Sequence, residues 1–231
     1  MKLGIIGAMD VEVATLKEKM VNMTEKIIAG ATYCEGVLEN LPVVVVQCGV
    51  GKVNAALCVQ ALCDCFEVTH IVNTGVAGSL CNELDIGDIL VSVDAMHHDF
   101  DCSPVGYVPG KIPGLDVLAF PADEKLCTLA FAAAEQVNSG HTKTGRVASG
   151  DQFIAGRQIK EKIIAITDAK CTEMEGAAIA QVAYRNRVPF VVLRAISDKA
   201  DDSAEMDYPT FERIAADRCA KVVMTLAEMM M

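Results

Sequence analysis

The sequence predicts a layered α/β domain with a mostly parallel sheet. Strand-length apolar runs alternate with stretches of helical spacing, as βα repeats require. Hydrophobic residues make up 52% of 231 residues, enough for one large core, and no linker, low-complexity tract or internal repeat divides the chain. Aromatics are only 5% and Trp is absent, so that core is aliphatic.

Lys2–Ile6 reads as a buried strand, followed by Gly7-Ala8-Met9 and a helix over Val11–Met20. Ile27–Leu38 and Pro42–Cys48 read as paired strands joined by a turn at Glu39-Asn40. Helical spacing covers Val53–Phe66, and His70–Asn73 is a strand ending at Thr74-Gly75-Val76-Ala77-Gly78. Ile86–Val93 is a further strand, and His97–Pro113 a loop rich in Gly and Pro. Ala122–Val137 is helical; Thr144–Ala148, Ile163–Thr167 and Pro189–Ile196 read as strands. A helix lies around Gly176–Tyr184, and a last one runs from Pro209 to the C-terminus.

The longest apolar runs, Leu41–Val46 and Val188–Leu193, are far short of a membrane span. The N-terminal run meets Asp10 and Glu12 at once, unlike a secretion signal, so a soluble, cytoplasmic protein without a membrane partner is expected. A net charge of −11 argues against nucleic acid, whose binding is driven by clustered Lys and Arg. Ten cysteines include no C-x-x-C pair, and Cys63 and Cys65 near His70 lack metal-site spacing. Reduced, structural cysteine is the expectation.

Open α/β sheets bind ligands at the carboxyl ends of their strands. Six polar or glycine-bearing segments fall at such ends: Gly7–Glu12, Cys48–Gly51, Asn73–Gly78, Ser149–Asp151, Glu173–Glu175 and Ser197-Asp198. Gly4-x-x-Gly7 is an incomplete dinucleotide fingerprint, and Gly49-x-Gly51-Lys52 lacks the first glycine and the final Ser or Thr of a P-loop. Both read as tight turns. Glu12 alone could simply favour the positive end of a helix dipole, and Asp198 could cap a helix or pair with Lys199. Glu173 and Glu175 share a face if extended and part if helical. Together, Glu12, Glu175 and Asp198 bring acids from three distant segments to predicted strand ends. Such a cluster pushes pKa values apart and suits glycosidic cleavage, with one acid for the leaving group and one carboxylate for water.

The blocks Lys2–Val13 (KLGIIGAMDVEV), Cys48–Leu57 (CGVGKVNAAL), Asn73–Leu80 (NTGVAGSL), Ser149–Gly156 (SGDQFIAG), Glu173–Ala183 (EMEGAAIAQVA) and Phe190–Asp201 (FVVLRAISDKAD) occur in one order over essentially the whole chain. In them the chain resembles the 5′-methylthioadenosine/S-adenosylhomocysteine nucleosidases of the purine nucleoside phosphorylase/uridine phosphorylase superfamily. The resemblance implies one nucleoside phosphorylase-like domain over residues 1–231, a three-layer α/β/α fold around a mixed, twisted sheet. It also implies hydrolysis of methylthioadenosine and S-adenosylhomocysteine, with 5′-deoxyadenosine a further candidate, as a step of methionine salvage. No metal or organic cofactor is implied.

Carried over by residue, the resemblance makes Glu12 the base that activates water and Asp198 the acid that protonates adenine N7, oriented by Ser197. Met174 and Glu175 bind the ribose; Phe153 stacks on adenine, and the backbone of Ile154 reads its edge. Met9, Val50, Ala77 and Gly78 line the ribose and base floor, and Tyr208 flanks the 5′-thio substituent. A homodimer is implied, in which Val105, Tyr107 and Pro113 of the second subunit complete the pocket. Val76 stands where family members often carry serine, and Val105 where an aromatic is common. Glu173 is expected to be structural. The rivals are a phosphorylase, which calls for an arginine-bearing phosphate site although Arg146 is the first arginine of the chain, a nucleosidase for futalosine-type substrates, and a non-catalytic nucleoside-binding or storage protein.

Overall fold

The computed structural model describes residues 1–231. Strand β1 (Leu3–Gly7) lies parallel between β4 (Leu41–Gln47) and β5 (His70–Ser79). It is buried on both faces, which is why its sequence is continuously apolar rather than alternating. Leu3 and Ile5 enter one core and Ile6 the other; in β4, Val43 and Val45 part from Val44 and Val46 in the same way.

These two cores define the layers. Helices α1 (Asp10–Lys19), α3 (Glu124–Val137) and α6 (Ala204–Met229) cover the first, and α2 (Lys52–Phe66) and α5 (Gly176–Asn186) cover the second. Ala177, Ala178, Ala180 and Ala183 put small side chains on the buried face of α5, so that helix packs close to the sheet. The domain is the expected α/β/α sandwich around a mixed sheet.

The sheet has ten strands, with β2 (Val21–Ile28) and β3 (Ala31–Leu38) extending it beyond β4 at one edge. Its other side closes on itself. Strand β5 pairs with β1 over His70–Asn73, then, past the end of that pairing, with β9 (Cys171–Glu173) at Gly78 and Ser79. It also pairs with β10 (Phe190–Asp198). From β10 the ring continues through β6 (Ile89–His97) and β8 (Thr142–Ser149) back to β9, with the two-residue β7 (Phe120–Pro121) beside β6. Strand ends from both halves of the sheet thus meet at one place.

Four expectations need correction. Ile163–Thr167 is the end of a helix, α4 (Arg157–Thr167), not a strand. A short β-branched run carries no period of its own, and Ile163 and Thr167, four residues apart, form the buried stripe of that helix. The single strand read over Ile27–Leu38 is instead the hairpin β2–β3, with Ala29 and Gly30 at positive φ in its turn. Strand β5 runs on past Asn73 through Gly75 and Gly78, which read as loop signals. Those glycines mark close approach within a strand: a Cβ on Gly78 would stand 2.7 Å from Asp198 Oδ1, and one on Gly75 would strike the Glu12 carboxylate. The last helix begins before Pro209, at Ala204.

Candidate active site

A cleft opens where the strand ends meet, the usual place for a ligand in a sheet of this kind. Its wall carries four carboxylates, Glu12, Glu173, Glu175 and Asp198, and no Lys, Arg or His. Each acid is held differently.

Glu12 sits in the first turn of α1, where Oε2 accepts from the backbone amides of Ala8 (2.7 Å) and Met9 (3.0 Å). Its bland role as a helix-start carboxylate is therefore real. Oε1 is free of that duty and accepts from the Val76 amide of β5 at 3.0 Å. Three donors leave a carboxylate with acceptor capacity for one more hydrogen, such as that of a water. Burial raises the Glu12 pKa above the ordinary carboxylate value, opposed by the charge of Arg194 and by these three amides.

Asp198 ends β10 and is nearly inaccessible. Oδ1 accepts from the Ala200 amide at 2.8 Å, and the Ser197 hydroxyl lies 2.8 Å from Oδ2. Burial outweighs both contacts and lifts its pKa, which favours the protonated acid.

Glu175 occupies the position before α5 and accepts from the Gly51 amide, at the start of α2, at 2.8 Å. Burial, with the Glu173 carboxylate next, raises its pKa to about 8. Glu173 itself is fully engaged. It pairs with the buried guanidinium of Arg194, takes the Ser149 hydroxyl, and accepts from the amides of Glu175 (3.2 Å) and Gly176 (2.7 Å). Arg194 is further bound to Asn73 and to the Leu193 carbonyl. A buried charge is tolerable when answered in this way. This ion pair fixes the turn from β9 into α5 and so aims Glu175.

The pattern of the Phosphorylase superfamily matches residues 2–228. The chain belongs to the phosphorylase superfamily. Within it, the 5′-methylthioadenosine/S-adenosylhomocysteine nucleosidase of Staphylococcus carnosus is 40% identical over 225 residues, covering 97% of this chain and 98% of that one. The enzyme of the same name from Neisseria meningitidis, solved with methylthio-immucillin-A, superposes with a TM-score of 0.95 at 33% identity over 99% of both chains. Futalosine hydrolase of Helicobacter pylori superposes with a TM-score of 0.94 at 34% identity, over 99% of this chain and 98% of that one. These relatives place the chain with the methylthioadenosine/S-adenosylhomocysteine nucleosidases, a hydrolase branch of the superfamily.

In this superfamily member, Met9, Glu12, Val50, Ala77, Gly78, Phe153, Met174, Glu175, Ser197, Asp198 and Tyr208 all line the cleft. Ile154 lies beside it in a recess shared with Gly78, Phe153 and Asp198. Tyr208 places its hydroxyl 3.1 Å from Met9 Sδ and its ring edge-on to Phe153, with centroids 5.3 Å apart. Phe153 and Val50 are about half exposed at the rim. Val105, Tyr107 and Pro113 do not reach this cleft within one chain; they lie exposed on the loop after β6.

Ala8, Thr172 and Arg194 are site residues that sequence reasoning did not single out. Arg194 had a signal, as the lone charge inside the run Val191–Ile196. Thr172 had one only in its place beside Glu173.

Proposed function

We propose that this superfamily member hydrolyses the N-glycosidic bond of 5′-methylthioadenosine and S-adenosylhomocysteine, releasing adenine and the 5-thioribose. The observation that carries this reading is the meeting of Glu12, Glu175 and Asp198 in one cleft without a cationic side chain. Asp198, favoured in its protonated form, donates to N7, so that adenine departs neutral. Positive charge then develops on the ribose beside Glu175, which binds the sugar hydroxyls. Three backbone amides hold Glu12, whose free acceptor site takes a proton from the attacking water. Phe153 covers the base, and Tyr208 with Met9 packs against the 5′-thioether.

Water rather than phosphate is the nucleophile in this reading. A phosphate dianion needs arginine or lysine donors, whereas the wall offers it carboxylates. Arg194 lies behind the wall, committed to Glu173 and Asn73. Both acids of the mechanism are present and positioned, which argues against a purely binding or storage role.

Adenine release from methylthioadenosine, with and without phosphate, tests the proposal. Equal rates are expected, with a loss of about 10²–10⁴-fold in Asp198→Asn. Strict phosphate dependence would overturn it in favour of a phosphorylase, and preferential cleavage of futalosine in favour of that nucleosidase class.

A further inference from the structure

Thr172 is the centre residue of β9, and its side chain lines both the cleft and the recess beside Ile154. It is 5% exposed, and its hydroxyl has no hydrogen-bond partner in the protein. A buried hydroxyl left unpaired is costly. The acids of the wall bond elsewhere, Glu173 to Arg194, Asp198 to Ser197 and Ala200, and Glu12 to three amides, and none of them takes this hydroxyl.

The sheet register places this hydroxyl relative to the acid. Gly78 pairs with Asp198 on one side and with Thr172 on the other. Adjacent strands lie roughly 4.8 Å apart, so in this closed ring the two residues flank the glycine across a span of roughly 8–10 Å. A flat purine fits that span. On the proposed function, on which this inference rests, Asp198 takes N7 and the backbone of Ile154 takes the edge bearing N1 and the amino group. The remaining acceptor of adenine is N3, and a threonine hydroxyl is a donor.

We propose that Thr172 is a specificity-determining residue whose hydroxyl donates to purine N3. Adenine satisfies that hydroxyl on binding; a base lacking N3 leaves it unpaired.

The test is a cycle of two ligands and three proteins. Calorimetry measures the binding of adenine and 3-deazaadenine to the wild type, Thr172→Val and Thr172→Ser. The wild type is expected to prefer adenine by about tenfold more than Thr172→Val does, the worth of one such hydrogen bond. Thr172→Ser, which keeps the hydroxyl, is expected to retain the wild-type preference. The same preference in all three proteins would overturn the inference, as would a preference lost in both variants. Free bases need no catalysis, so the outcome stands apart from the cleavage assay. A Thr172-dependent preference in a protein that leaves methylthioadenosine intact would uphold this contact and overturn only the proposed hydrolysis.

Discussion

Glu12 serves two ends of the same site. One oxygen completes the start of α1 and the other faces the cleft, held by the Val76 amide of a strand distant in sequence. The helix-start reading and the catalytic reading of this residue are therefore compatible. Glu175 carries a consequence for pH. Its pKa of about 8 in the folded chain exceeds the ordinary value of 4.5. Between the two, the folded chain holds a proton that the unfolded chain has released. This group's contribution to stability is thus complete below the ordinary carboxylate value and is lost as pH rises through about 8. Urea unfolding at pH 5 and pH 8.5 is expected to show a larger drop in stability for the wild type than for Glu175→Gln. An equal drop in both would show that Glu175 does not bind the extra proton. At this scale the acids were legible because charge beside apolar runs stands out. The Thr172 hydroxyl was not, because its isolation depends on what three strands bring around it.

Strand β5 brings the site together. It supplies the Val76 amide to Glu12, the cleft-lining Ala77, and the glycines that let two carboxylates approach its backbone. Gly75→Ala tests that arrangement, since the added Cβ would displace the Glu12 carboxylate and crowd Arg194. A fall in kcat of about 10²-fold is expected, the effect of misplacing a reacting group by roughly 1 Å, with the circular dichroism spectrum unchanged. Unimpaired turnover would mean that Glu12 need not stand where β5 holds it. Buried strands such as β1 and β10 were readable from their apolar runs, and α5 from its small residues. The end of β5 was not, since its glycines look like loop until their neighbours are known. The strand expected at Ile163–Thr167 failed for the opposite reason: its β-branched residues suit either element, and packing of Ile163 against Ala148 and Ile154 decides for helix.

For the whole molecule, the ring of five strands explains why segments from across the sequence share one cleft, an arrangement that alternating β and α signals do not reveal. The layers and the location of the site at strand ends were legible; the closure was not. The exposed loop with Val105, Tyr107 and Pro113 belongs to this scale. In the homodimer that the family resemblance implies, this loop is expected to cover the partner's cleft. Mixing Asp198→Asn with Tyr107→Ala is then expected to restore activity above that of either variant alone, because a mixed dimer contains one site free of both changes. Activity no greater than the average of the two would place Tyr107 outside the shared site.

In the proposed reaction, water activated in a cleft of acids attacks the sugar as adenine leaves. Turnover of methylthioadenosine in ¹⁸O-labelled water containing phosphate tests it most directly, with the sugar product read by mass spectrometry at early times. Methylthioribose carrying one ¹⁸O and no sugar phosphate is the expected result; methylthioribose 1-phosphate as the product would contradict it.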